Sequence, residues 1–536
     1  MSTQETPRVR RTFELLLSVV VLAVFSGVGF LDFYCANVDS LVGPARTLRF
    51  YLLVLAIAIA AALAAKALFR SVPIARWLLV TAAVSFMVFS FDELKRLVSR
   101  DEIMNLVGNE HFPGFLLGCW AFATILAGFL VGILSRRAIF LPTMAAVGAI
   151  YILPSAMDLA RVRLHPREAI ADSALALTAH RNPDVYWIVL DGYPRADVLR
   201  EFFDFDNAHF LASLKALDFT VYDRAEASFP ETIYSISSTL SLGFLVSGSG
   251  SSIRMPPAAA LYPVVRGRNT VVNTMGAMGY RYIHFQNGYD NLTQCAVDGV
   301  ICIKGNVRPD SGVLHLDEFD VTILSRTPLI EAMTAFTNAA SFIKIDQSVD
   351  ESAFVRGAVH DLTDKLSVIQ GYGKPLFLYA HVLAPHPPIR FRRDCSTRPA
   401  APDLLTWDPN EKPAFLEQLM CVNDEAVALV QAIVRSDPEA IIALQSDHGT
   451  AFRGQFEKSF DAWDPQDLKE RFSALNAIRM PGACAQQADG SVDLVNTFSR
   501  VLNCIADASL PDKVSRQFVV SHAGDMSNVH EYKPGF

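Results

Sequence analysis

Residues 185–192 read Val-Tyr-Trp-Ile-Val-Leu-Asp-Gly, six apolar or aromatic residues followed directly by an acid and a glycine. A strand that is apolar at every position is typical of a parallel sheet covered on both faces. Asp191 therefore follows a buried strand at a tight turn, which is either an ordinary Asp-Gly turn or the place of a functional carboxylate. Ligands of such sheets bind beyond the carboxyl ends of the strands, but an Asp-Gly pair taken alone is more often an ordinary turn.

Further short β-rich runs follow and alternate with stretches of helical spacing. This alternation predicts an α/β domain, a mostly parallel sheet sandwiched by helices. The predicted strands are 219–222, 280–285, 376–382 and 440–444, and the predicted helices include 232–242, 353–370 and 412–434.

The beginning of the chain has a different character. The 536 residues are 51% hydrophobic and 19% charged, and the apolar excess is concentrated before residue 156. A membrane crossing needs about 20 apolar residues, so we predict a domain of five transmembrane helices at 1–156, whose third and fifth crossings are short. A secretory signal peptide is the competing reading of the first run, but four more apolar runs follow it. The runs are 13–34, 48–69, 75–91, 112–134 and 138–156.

The basic residues predict how these helices are oriented. Clusters of Lys and Arg precede the first run and separate the second from the third and the fourth from the fifth, which puts the N-terminus inside. Five crossings then carry a connector, 157–181, and an exported domain, 182–536, to the outside. The net charge of −8 argues against a nucleic-acid partner.

Six of the eight cysteines lie in the predicted exported part, as suits an oxidising compartment. The alternative is that they are free buried thiols. The pairing of sequence neighbours predicts the disulfides Cys295–Cys302, Cys395–Cys421 and Cys484–Cys504.

A second candidate element is Thr232, which opens a stretch of helical spacing. We expect Ser228 or Phe229 to cap this helix with Pro230 near its first position, which leaves Thr232 in the first turn among unpaired backbone N–H groups. Such a helix start attracts anions, so a hydroxyl there could attack a phosphoryl group. The alternative is that Thr232 merely occupies a helix start.

The third element is a predicted buried strand, 441–446, whose first four residues are apolar and which leads into Asp447, His448 and Gly449. Adjacent ionisable residues at the end of an apolar strand are hard to explain by packing. Because alternate strand residues face opposite ways, Asp447 and His448 can serve one ion only where the strand ends, which Gly449 indicates.

Together these elements predict a metal site. Asp191, Thr232, Asp447 and His448 supply three oxygens and one nitrogen, a set suited to one divalent ion, Zn²⁺ or Mn²⁺. Such an ion would make Thr232 a nucleophile and polarise the phosphoryl group under attack.

Two histidines at the end of the predicted strand 376–382 extend the site. His386 is predicted to protonate a leaving group or to bind substrate phosphate. His381 is placed among the substrate-binding residues, with a second metal site and a structural role as its alternatives. Arg195 is predicted to clamp phosphate or to form an ion pair with Asp197.

The order of these motifs resembles the alkaline phosphatase and sulfatase superfamily: membrane helices, IVLDGYPRAD at 188–197, a threonine at a helix start, a His-Pro loop and SDHG at 446–449. The resemblance is to its membrane-anchored bacterial branch, which includes lipoteichoic acid synthases, phosphoglycerol transferases and lipid phosphoethanolamine transferases. It implies an alkaline phosphatase-like exported domain with Thr232 as nucleophile and His386 in the substrate pocket. The metal ligands it implies are Asp191, Thr232, Asp447 and His448.

The resemblance also implies a function. A membrane phospholipid would donate a phosphoglycerol or phosphoethanolamine head group, through a phospho-threonine, to an extracytoplasmic glycan or glycolipid. The protein would be integral to the bacterial cytoplasmic membrane, with its catalytic domain on the periplasmic or extracellular side. A membrane-anchored phosphodiesterase or phosphatase that uses water as acceptor is the alternative, and an inactive scaffold in envelope polysaccharide assembly is the third hypothesis.

Overall fold

The computed structural model describes most of the chain in two compact units. The helical unit comprises Met1–Arg167 and Gly312–Val349, and the sheet unit comprises Glu168–Ser311 and Asp350–Phe536. The described residues are 7–36, 44–98, 107, 111–164, 170, 173–248, 253–256, 258–287, 299–305, 323–324, 326–329, 331–332, 359–360, 362–396, 398, 407–459, 462–487, 492–520 and 529–532.

In the helical unit, four helices contain stretches that are long and apolar enough to cross a membrane, judged by length and composition. The third predicted crossing is the 16-residue helix Ile74–Phe89. At 1.5 Å per residue it spans about 24 Å, less than the roughly 30 Å of a hydrocarbon core. The helices are α1 Pro7–Ala36, α2 Pro44–Leu68, α3 Ile74–Phe89, α4 Phe91–Val98, α5 Phe112–Leu134 and α6 Phe140–Leu164.

The helical unit has an apolar core of its own between α1 and α3. Leu22 and Phe25 of α1 pack with Leu79 and Ala82 of α3. Bulky apolar side chains on other helix faces remain exposed, for example Ile57, at 60%. Exposed apolar faces of this kind suit a lipid surrounding.

A segment from the middle of the chain belongs to this unit, although we predicted residues 182–536 as one exported domain. Ile323 is buried against Phe30 and Phe33 of α1. Arg326 forms an ion pair with Asp32 of the same helix at 3.5 Å.

The sheet unit is built on a seven-stranded sheet in which β1 (Val185–Leu190) pairs in parallel with β5 (Leu376–Val382) and with β6 (Ile441–Gln445). Strand β7 (Asn476–Arg479) runs antiparallel to β6 and to β2 (Phe219–Val221), so the sheet is mixed and mostly parallel. Apolar clusters cover both of its faces, which confirms the predicted α/β class. In spatial order the strands are β2 Phe219–Val221, β7 Asn476–Arg479, β6 Ile441–Gln445, β1 Val185–Leu190, β5 Leu376–Val382, β3 Arg281–Gln286 and β4 Ile301–Lys304, and a separate hairpin joins β8 Gln517–Val520 to β9 Val529–Tyr532.

The helices of the sheet unit were predicted only in part. Those predicted at 232–242 and 412–434 are present with nearly these bounds. Within the third, predicted at 353–370, the structure describes 359–360 and 362–370 and has a short helix at Leu366–Gly371, while 353–358 and 361 lie outside the described residues. The described helices are α7 Ala196–Phe203, α8 Ala208–Lys215, α9 Thr232–Leu240, α10 Ala258–Val265, α11 Thr270–Ala277, α12 Leu366–Gly371, α13 Lys412–Ser436, α14 Pro465–Phe472 and α15 Thr497–Ala506.

The predicted cap of α9 was wrong. Glu231, in extended conformation, is the N-cap residue, so the helix begins at Thr232. Phe229 instead packs its ring on Phe518, with centroids 5.2 Å apart, and the carbonyl of Ser228 accepts a hydrogen bond from Phe518 N. Thr232 nevertheless occupies the first turn.

Two of the predicted disulfides are present, Cys395–Cys421 and Cys484–Cys504. Cys302 is also disulfide-bonded, and Cys295, its predicted partner, lies outside the described residues.

Candidate active site

The central strands β1, β5 and β6 bring three motifs to one edge of the sheet. Val189 of β1 lies opposite His381 on β5 and opposite Gln445 on β6. Because the three strands are parallel, the residues that follow them emerge together at their carboxyl ends. Asp191 and Asp447 are therefore neighbours although 256 positions separate them.

The four predicted metal-site residues converge on one ring nitrogen, Nε2 of His448. It lies 3.2 Å from Thr232 Oγ1. The same atom lies 3.5 Å from Asp191 Oδ1 and 3.3 Å from Asp447 Oδ2. The hydroxyl predicted as the nucleophile thus contacts the cluster directly.

His381 differs from its predicted place at the substrate. Its side chain has no exposed surface, and its Nε2 lies 3.4 Å from Asp191 Oδ2. Ligand atoms of His381, Asp191 and Asp447 all lie within 4.8 Å of one another. A side chain buried behind the carboxylates can reach an ion among them but not a substrate.

The residues fit a divalent cation. Asp191 and Asp447 are both buried, and Asp191 Oδ1 and Asp447 Oδ2 have no hydrogen-bond partner within the described part of the chain. Nδ1 of His381 likewise has no hydrogen-bond partner among these residues. Buried carboxylates that lack partners are costly unless a cation compensates them. Carboxylate and hydroxyl oxygens with imidazole nitrogens suit Zn²⁺ or Mn²⁺.

The imidazole of His448 is held in the form that a metal requires. Its Nδ1 lies 3.0 Å from the carbonyl oxygen of Gly449, which can only accept, so Nδ1 carries the hydrogen and Nε2 presents its lone pair to the cluster. Burial, aided by Arg471, lowers the pKa of His448 to about 4. The ring is therefore neutral at neutral pH.

Asp191 is ionised at the same pH. Burial by itself raises the pKa of this carboxyl, but the imidazoles of His386 and His381 outweigh burial and hold the pKa well below its usual range. The charge needed to bind a cation is thus present.

Backbone and hydroxyl contacts fix the strand ends. Asp447 Oδ1 accepts hydrogen bonds from Gly192 N (3.1 Å) and His448 N (3.0 Å), which leaves Oδ2 for the cluster. Ser235, one turn along α9 from Thr232, donates to the carbonyl of Asp447 at 2.6 Å. The helix that carries the nucleophile is therefore tied to the strand end that carries the ligands.

The glycines of the two motifs are required for different reasons. Gly192 has φ +67°, the left-handed region, and a Cβ there would lie 3.0 Å from Trp407. A Cβ on Gly449 would lie 2.1 Å from the carbonyl oxygen of Glu470, so the backbones approach too closely for any side chain.

His386 lies beside the cluster, and its role in a substrate pocket stays a prediction. Its backbone N donates to the carbonyl of Asp191 at 3.0 Å, and its ring centroid is 6.1 Å from that of His448. Nδ1 donates to Pro387 O at 2.6 Å, which leaves Nε2 to give or take a proton. Trp407, which sequence reasoning did not identify, packs edge-on against this ring at 4.8 Å.

Arg195 is engaged elsewhere. Its guanidinium makes two hydrogen bonds to the carboxylate of Asp197, at 2.6 and 2.9 Å, and one to the carbonyl of Ala225 at 3.0 Å. These contacts favour the predicted ion pair over the phosphate clamp.

Arg471 was missed altogether, although it is 2% exposed and lies between the two motifs that carry Thr232 and His448. In the sequence it is one of several charges in an ordinary amphipathic helix, and no motif distinguishes it.

Comparison with known proteins gives distant structural likenesses. No protein-family model and no curated protein matches the sequence. Lipooligosaccharide phosphoethanolamine transferase A (EptA) from Neisseria meningitidis is similar over 92% of this chain and 95% of its own, with 13% identity and a TM-score of 0.41. The periplasmic domain of EptC from Escherichia coli, in complex with Zn, is similar over 67% of this chain and 100% of its own (12% identity, TM-score 0.39).

BT1596, a 2-O GAG sulfatase, is similar over 65% of this chain and 74% of its own, with 14% identity and a TM-score of 0.37. At TM-scores of 0.37 to 0.41, these likenesses establish neither a family nor an activity for this chain. What the site can do follows from its own geometry.

Proposed function

We propose that this protein is a membrane-anchored, metal-dependent phosphotransferase. It moves a phosphoethanolamine or phosphoglycerol head group from a membrane phospholipid to an extracytoplasmic glycan or glycolipid, with Thr232 as the nucleophile. The observation that carries the proposal is the 3.2 Å contact between Thr232 Oγ1 and His448 Nε2, inside a group of buried carboxylates and imidazoles.

Asp191, Asp447 and His448 would hold the cation, with Thr232 and His381 within reach of it. When bound, a divalent cation supplies a Lewis acid that lowers the pKa of a nearby hydroxyl and stabilises negative charge on a phosphoryl group. The helix start at Thr232 adds backbone N–H groups that favour the nonbridging oxygens.

The protein's own residues account for the transfer. Thr232 Oγ1 loses its proton to solvent and attacks phosphorus, the bond from phosphorus to the diacylglycerol oxygen breaks, and His386 Nε2 gives that oxygen a proton. In the second half, His386 takes a proton from the acceptor hydroxyl, whose oxygen displaces Thr232 from phosphorus. Thr232 then regains its proton from solvent.

The apolar helices support a lipid donor. A phospholipid has a high local concentration only beside the bilayer, so a site tethered there gains effective concentration without new contacts. The second half-reaction needs only a hydroxyl, which a glycan or glycolipid supplies.

The test uses the full-length protein in vesicles that contain labelled phosphatidylethanolamine or phosphatidylglycerol. We expect the wild-type protein to release diacylglycerol and to transfer the label to an added glycolipid. The Thr232→Ala variant should do neither. Thr270→Ala is the matched control, because Thr270 is likewise half-buried at the first position of a helix. It should keep full activity.

Two results would count against the proposal. Full turnover by the Thr232→Ala variant would show that Thr232 is not the nucleophile. Release of diacylglycerol at the same rate without an acceptor, with the label ending in water-soluble phosphate esters, would identify a hydrolase instead.

A further inference from the structure

The carboxyl end of α14, residues 471–473, binds the three segments of the site, and we call it the junction. Consecutive carbonyl groups there accept hydrogen bonds from each of them, and Gly449 N, which follows His448, donates to Arg471 O at 2.7 Å. The segments that lead to Thr232 and away from Asp191 are bound in the same way, through Ala227 N to Phe472 O (2.7 Å) and Arg195 N to Ser473 O (3.1 Å).

The side chain of Arg471 adds a second set of contacts at this junction. Its Nε donates to the carbonyl of Pro230 at 2.8 Å, and Nη2 donates to the same oxygen. Its Nη1 donates to the carbonyl of Gly449 at 2.7 Å. One guanidinium thus joins the turn before Thr232 to the residue after His448.

Each of the two carbonyl groups that Arg471 binds is close to a residue of the site. Pro230 precedes Thr232 by two residues, and Gly449 O is also the acceptor that fixes the ring of His448. A shift of either carbonyl therefore changes the distance between Thr232 Oγ1 and His448 Nε2. An arginine suits this task because its planar fork presents several donors in fixed directions, whereas a lysine presents a single ammonium on a flexible stem.

The guanidinium is held on its other sides by aromatic rings. The ring centroid of Phe456 lies 4.9 Å from the guanidinium carbon, and that of Trp407 lies 5.8 Å from it. Burial lowers the pKa of Arg471 to about 10, so it remains a cation at neutral pH. It also interacts favourably with the charges of Asp447, Glu231, Asp191 and Glu470.

We propose that Arg471 is a positioning residue that holds the nucleophile turn and the metal-ligand turn in register before cation and substrate bind. This inference rests on the proposed function, which it deepens. Arg471 touches neither the metal-site atoms nor Thr232 Oγ1 in the described contacts, and all of its donor nitrogens face main-chain carbonyls.

The Arg471→Lys variant distinguishes the positioning effect of the guanidinium from the effect of its positive charge. It keeps a cation near the carboxylates but cannot bind both carbonyls with the same fork. We expect the affinity for Zn²⁺ or Mn²⁺, measured by competition with a chelator, to fall by about 10- to 100-fold, the usual effect of losing a residue that orients metal ligands. The value of kcat should fall by a similar factor with little change in KM.

The chain offers a matched control in Arg479. This arginine is also buried and donates to three carbonyls, those of Leu217 (3.1 Å), Ala440 (2.9 Å) and Pro438 (2.7 Å). It lies opposite Ile442 at the other end of β6, away from the site. Arg479→Lys should lower the melting temperature as much as Arg471→Lys does, without changing metal affinity or kcat.

If Arg471→Lys does not fold, Phe456→Leu is the second variant. Phe456 is 38% exposed, and its loss loosens the guanidinium without removing it, so a smaller fall in metal affinity is expected. Wild-type metal affinity and kcat in Arg471→Lys, or in Phe456→Leu where only that variant folds, would overturn the inference. So would equal losses in Arg471→Lys and Arg479→Lys. A wild-type chain that binds no metal would instead overturn the proposed function.

Discussion

Gly449→Ala tests the packing on which the site depends. A Cβ at this position would lie 2.1 Å from the carbonyl oxygen of Glu470 and 3.0 Å from that of Ser473. A carbon and an oxygen normally approach to about 3.3 Å, so the two backbones must separate by roughly 1.2 Å. The hydrogen bond from Gly449 N to Arg471 O, 2.7 Å long, cannot survive such a separation.

The magnitude follows from these contacts. Overpacking of a tight interior costs about 1–3 kcal/mol, and the loss of a buried hydrogen bond costs about as much again. The free energy of unfolding should therefore fall by about 2–6 kcal/mol. At about 2 °C per kcal/mol, a value for large domains, the melting temperature should fall by about 4–12 °C. Because Gly449 O also fixes His448, metal affinity should fall as well.

The assay is thermal unfolding of the full-length protein in detergent, with Gly276→Ala as the control. Gly276 lies inside α11, where a Cβ would meet nothing within 4 Å. Alanine is the better helix former by about 1 kcal/mol, so this variant should be as stable as the wild type or more so. Equal melting temperatures for Gly449→Ala and Gly276→Ala would refute the close-approach argument.

Two further predictions concern the surroundings of the site. Burial and then Asp493 raise the pKa of Glu226 from its ordinary 4.5 to about 7, so the folded state holds this proton more tightly and loses stability as pH rises from about 4.5 to about 7. Unfolding measured across that range should show a smaller decline in Glu226→Gln, and an unchanged decline would contradict the assignment. Ser235→Ala removes the buried 2.6 Å bond to Asp447 O and should lower both kcat and stability, the latter by about 1–3 kcal/mol. Ser238→Ala removes a buried hydroxyl with no hydrogen-bond partner among the described residues and should change neither; similar kcat losses in both variants would show that the Asp447 bond has no special role.

The central strands could be predicted because strands that are buried on both faces consist mostly of apolar residues. β1, β5 and β6 are buried on both faces, and their sequences are apolar at nearly every position. β7, Asn476–Arg479, was not predicted, because four residues with polar ends carry no period. Its place in the sheet depends on pairing with β6 and β2, which are distant in the chain.

The sequence also indicated part of the candidate site. Asp191, Asp447 and His448 follow apolar strands, where a polar residue is conspicuous, and the structure brings them to Thr232. The place of His381 could not be read, because the sequence does not say which face of β5 points toward the carboxylates. Arg471 could not be predicted, because its side chain binds the carbonyls of Gly449 and Pro230, which are 22 and 241 residues away in the chain. Contacts between residues so distant in sequence leave no local sequence pattern.

The most direct test of the central claim is mass spectrometry of the full-length protein after incubation with phosphatidylethanolamine in the absence of an acceptor. The proposal predicts one phosphoethanolamine group on Thr232, which disappears when a glycolipid acceptor is added. A group found on another side chain would contradict it, and so would an unmodified Thr232 in a protein that releases diacylglycerol in a rapid first turnover.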